Sequence, residues 1–70
     1  MREQLIRLRE VSGTSQITLA RLSGISRFRL SQAENGELLL DYSEQAAIKR
    51  ALTEAAERKS QEIREALVAA

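Results

Sequence analysis

An arginine, an aromatic ring, a hydroxyl and an amide stand at Arg27, Phe28, Ser31 and Gln32. Spacings of four pair Arg27 with Ser31 and Phe28 with Gln32, so a helix over this segment gathers all four into one exposed stripe. These are the residue types that read base edges: Arg forks onto guanine, Gln onto adenine, and an apolar face meets a thymine methyl. The other reading of Phe28 is a core or partner contact. Further upstream, Gln16 and the free N–H groups at the start of a helix suit a phosphate oxygen. Nothing comparable serves catalysis. The chain has no His and no Cys, which excludes imidazole bases, thiol nucleophiles, disulfides and zinc fingers. Its carboxylates fall on solvated helix faces, so no enzyme activity, metal or cofactor is expected.

Seventy residues leave room for one core, and a domain of this size buries roughly 60% of the surface it exposes unfolded. Such a domain is marginal alone and gains from a partner subunit. The net charge of +1 hides an uneven distribution. Residues 1–36 hold six Arg against three Glu, whereas residues 37–70 hold five basic and seven acidic side chains. All the positive charge of the first half is therefore guanidinium, which suits forked hydrogen bonding to phosphates and bases. No apolar run approaches the roughly 18 residues of a membrane span, and the opening MREQLIRLRE lacks the apolar stretch of a signal peptide. The expectation is a cytoplasmic protein without a membrane partner.

Four helices position these residues. Period-2 alternation is missing and there is no proline, so the fold class is all-α. The first helix, over residues 2–12, aligns Leu5, Leu8 and Ser12 and ends at Gly13. Thr14 or Ser15 caps the second, which runs from Gln16 to Ser23 and stops at Gly24. Ser26 caps the third, which ends near Asn35 and Gly36. Leu19, Ala20, Ile25, Leu30 and Ala33 face inward, and Leu22 falls on the outward side. This arrangement is two short helices joined by a tight glycine turn. Leu38-Leu39-Leu40 anchors the next loop, with one leucine left exposed. Asp41 or Ser43 then caps a long helix from about Tyr42 to near the C-terminus. Residues 1–56 form the domain and 57–70 a helical extension. Apolar positions 48, 52, 55 or 56, 63, 66 or 67 and 70 make a seam that Lys59 interrupts. The seam is either a dimer contact or a monomer-stabilising face that frays after Lys59.

The segment from Leu8 to Gly36 resembles the Cro/phage-repressor-like helix-turn-helix family, the XRE family of transcriptional regulators. The resemblance rests on Leu8-Arg9, Ser15-Gln16, Leu19-Ala20, Gly24-Ile25-Ser26, Leu30-Ser31 and Glu34-Asn35-Gly36. It implies a compact repressor-like helical bundle, a homodimer on palindromic double-stranded DNA, and a recognition helix in the major groove. Arg27, Phe28, Ser31 and Gln32 then contact bases. Ser15, Gln16, Ser26, Arg29 and Asn35 contact the DNA backbone, and Arg9 with Glu34 forms a structural ion pair.

The chain departs from this family's pattern in five places, one of them that the family's short fourth and fifth helices are expected here as one unbroken stretch. The loop after Asn35-Gly36, commonly basic, is Glu37-Leu38-Leu39-Leu40-Asp41, which removes phosphate contacts and weakens the salt-sensitive part of binding. Ile17-Thr18 replaces an acidic pair, Thr14 takes an apolar core position, and Phe28 takes a polar one. The acidic loop favours a second reading: a protein-interaction module on the same scaffold, binding through residues 38–40 or the C-terminal helix.

Overall fold

The computed structural model describes residues 2–70 and is all-helical among them: α1 (Arg2–Val11), α2 (Gln16–Ser23), α3 (Arg27–Glu34) and α4 (Tyr42–Ala69). Each boundary follows from a capping group. Ser15 Oγ accepts from the Thr18 N–H at 3.1 Å and Ser26 Oγ accepts from the Arg29 N–H at 3.1 Å, so each serine satisfies an orphan donor of the following first turn. Asp41 caps α4 in a reciprocal box: its carboxylate accepts from the Glu44 N–H at 2.8 Å, and Glu44 accepts from the Asp41 N–H at 3.1 Å. Of the two pairs of capping candidates, Ser15 and Asp41 take the positions. Thr14 is instead buried, its hydroxyl 2.8 Å from that of Ser12, so a polar residue fills an apolar slot without losing its hydrogen bond.

Between α2 and α3 the chain reverses at Gly24, which adopts φ 76° while its N–H closes onto the Ala20 carbonyl at 3.0 Å. That left-handed conformation is cheap only for glycine. The core beneath is Leu5, Leu19, Ile25, Leu30, Ala33, Leu40, Ile48, Ala51 and Leu52, with Ala20, Leu22, Leu38 and Ala47 packed against it. Leu22 therefore faces inward, not outward as the period of α2 alone suggests, because α4 packs across α2. Leu40 is buried and Leu39 exposed, as expected of an anchoring loop.

Leu8 departs from its expected place: it is 47% exposed. α1 leans on α3 more than on α4, so Leu8 lines a groove between α1 and α4 instead of entering the core. α4 is one unbroken helix of 28 residues, about 42 Å at the standard rise. Its last buried residue is Leu52.

Candidate nucleic-acid interface

α3 is held from behind and free in front. Leu30 and Ala33 lock its inner face into the core, fixing the helix as a rigid mount. On the outer face Arg27 and Phe28 are exposed, Phe28 to 73%, while Ser31 and Gln32 are half-buried on the same stripe. The structure thus brings the four expected base-contacting residues to one surface. An exposed Phe at this level is not core; the core reading of Phe28 is excluded by its position.

The expected backbone-contacting residues divide into two groups. Ser15, Ser26 and Asn35 are exposed at helix ends, the two serines acting as caps and Asn35 ending α3. Gln16 and Arg29 already have protein partners. The Gln16 amide donates to Glu34 Oε1 at 3.2 Å. Arg29 makes a forked ion pair with Glu44, its Nη2 at 2.9 Å from Oε1. Glu44 is the residue that completes the α4 capping box, so Arg29 ties α3 to the start of α4. The Arg29 hydrogen bond, aided by the Asp41 N–H, lowers the Glu44 carboxyl from 4.5 to about 2. Sequence reading missed this pair. The partners are fifteen residues apart across a loop, where helical spacing carries no signal.

Behind α3 the expected structural pair forms. Arg9 grips Glu34 with two parallel hydrogen bonds, Nε to Oε2 at 2.8 Å and Nη2 to Oε1 at 2.9 Å. Arg9 also reaches the Thr14 carbonyl at 3.2 Å, and Arg2 Nε donates to the Glu34 carbonyl at 2.7 Å. The Glu34 hydrogen bond raises the Arg9 pKa, against a smaller opposing effect of burial. Among the described residues no buried side-chain polar atom lacks a partner.

Comparison with protein-family models, curated proteins and solved structures gives no match. Among the described residues no helix is long and apolar enough to cross a membrane, and no cluster of three or more potential ligands is arranged to hold a metal ion.

Proposed function

We propose that this protein is a sequence-specific DNA-binding transcriptional regulator, a homodimeric repressor of the Cro-like helix-turn-helix kind, acting in the cytoplasm and without catalytic activity. α3 lies in the major groove of double-stranded DNA. Arg27, Phe28, Ser31 and Gln32 face base edges, and Ser15, Gln16, Ser26, Arg29 and Asn35 line the phosphate path. One observation carries the reading: a helix locked by its inner face leaves Arg27 and Phe28 uncovered on the outer one. A surface that only had to be wet has no use for an aromatic ring there, whereas a thymine methyl offers it an apolar contact.

The Arg29–Glu44 pair qualifies the electrostatics. It neutralises one carboxylate beside the groove-facing helix, and it obliges any phosphate at Arg29 to compete with Glu44. Affinity then rests on few cationic contacts, and the salt dependence is shallow for a DNA-binding protein. Selection of bound sites from random duplexes, followed by titration over a range of salt, is the test. Expected are an enriched motif and a log–log salt slope that is negative but small. No enriched motif and no salt-dependent binding would contradict the reading.

Leu39 and Tyr42 favour a second reading, since both are exposed large side chains beside acidic Glu37 and Asp41. They suit a protein-interaction module on the same scaffold. Duplex binding that ignores substitution of the α3 stripe would select it.

A further inference from the structure

An apolar stripe on α4 runs on past the protein body. Ile48 and Leu52 lie in the core, and beyond them, about a quarter turn round toward the groove beside α1, Ala56, Ser60, Ile63 and Leu67 share one face, where Ile63 is 52% and Leu67 72% exposed. These four residues follow spacings of four, three and four, a coiled-coil seam. Lys59, which interrupts the seam in sequence, does not enter it: its ammonium folds back over Gly13 at the end of α1. Beside the seam a groove of about 800 Å³ opens between α1 and α4, with Leu8, Val11, Ala56 and Ile63 among its walls.

We propose that this half of α4 pairs antiparallel with the same segment of a second copy, whose last turns lie in the groove. It deepens the homodimer of the proposed function, and needs no DNA. Three features single out a second copy as the occupant. The four-three-four spacing reads the same in both directions, so a two-fold axis between Ser60 and Ile63 sets Ala56 opposite Leu67 and Ser60 opposite Ile63. Each large side chain then meets a small one, the alternation that lets facing layers interlock. Second, Glu57 and Arg64 each directly follow a seam residue, and neither belongs to an ion pair in its own chain among the described residues. The two-fold brings Glu57 of one copy beside Arg64 of the other, twice. Third, Ala56 shares the groove with exposed Leu8 and Val11, so Leu67 of the second copy, arriving at Ala56, enters a groove with apolar walls on both helices. A lone protruding helix of this length is marginal in water, so pairing also stabilises it.

Sedimentation equilibrium of the full chain without DNA tests the proposal. The expected mass is twice 7.8 kDa, falling to the single-chain value in Ile63→Glu while the helical signal of the body persists. Glu57→Arg alone and Arg64→Glu alone each weaken association about tenfold, and the two together restore it. As the chain lacks cysteine, Ala56→Cys combined with Leu67→Cys forms a disulfide dimer, whereas Leu67→Cys alone does not. A single-chain mass at every concentration would overturn the proposal and leave the groove to a different protein. A double charge exchange no better than the single ones, or cross-linking by Leu67→Cys alone, would overturn the antiparallel register. Because no DNA is present, failure here leaves the DNA-binding reading standing, and failure to bind DNA leaves the dimer standing.

Discussion

Glu34 is a carboxylate at 6% exposure, a position that costs several kcal/mol unless its oxygens are matched. Two N–H groups of Arg9 and the Gln16 amide match them, while Arg2 takes the backbone carbonyl of the same residue. One residue at the end of α3 thus fastens α1 and the start of α2. Arg9→Ala strands that carboxylate, and urea unfolding is expected to show a loss of about 3–5 kcal/mol. A loss under about 1 kcal/mol, the worth of an exposed pair, would mean that the network carries little. Glu44 supports a pH prediction. Its carboxyl is lowered from 4.5 to about 2, chiefly by the Arg29 hydrogen bond. A depressed acid stabilises the fold above its unfolded value and loses that contribution as pH falls through the folded one. Stability is therefore expected to drop from about pH 5 toward pH 2 more steeply in the parent than in Glu44→Gln, which can keep the capping box but not the ion pair. Equal slopes in urea melts across that range would contradict the assignment.

Among the elements, two glycines at helix ends carry a conformational cost of substitution. Gly13 and Gly24 share a left-handed backbone, φ 67° and 76°. A Cβ at Gly24 meets open space, but one at Gly13 collides with the ammonium of Lys59. Gly24→Ala and Gly13→Ala should each lose about 1–2 kcal/mol, the conformational penalty alone, since the far end of the exposed Lys59 side chain swings aside at little cost. Thermal melts check both, since 1 kcal/mol shifts the midpoint by about 4–8 °C in so small a domain. A much larger loss for Gly13→Ala would mean that Lys59 is held rigidly over the end of α1. These boundaries were legible because capping chemistry is local: a serine or aspartate needs only its own next turn to mark a helix start. The inward residues of α3 were legible for the same reason, since Leu30 and Ala33 share one stripe. Leu8 and Leu22 were not. The period of one helix says which residues share a face, and only the neighbouring helix decides which face is covered. α4 crosses α2 and buries Leu22; α1 leaves α4 and uncovers Leu8. Arg29–Glu44 was hidden likewise, as a contact between two elements made across a loop.

At the scale of the molecule, extents of 45 × 18 × 17 Å describe a small helical body with a long rod through it. The rod's first half closes the core, and its second half carries the self-complementary seam. The two halves of the chain hold different charge. Six arginines lie in residues 1–36, and the acidic excess lies in 37–70. Pairing through α4 would leave α3 of each copy free, since the seam and the α3 stripe share no residue. The resemblance motif spans residues 8–36 and says nothing about α4, so the stripe on α3 was readable in advance while the groove beside α1 was not. In the complex we propose, Arg27 reads a base and Gln16 contacts only a phosphate. Competition binding of parent, Arg27→Ala and Gln16→Ala, each to a selected duplex and to a scrambled one at fixed salt, tests it most directly. Arg27→Ala is expected to cost about 1–3 kcal/mol on the selected duplex and almost nothing on the scrambled one, and Gln16→Ala to weaken both alike. If Arg27→Ala instead weakens both duplexes equally, or neither, α3 is not the reading helix.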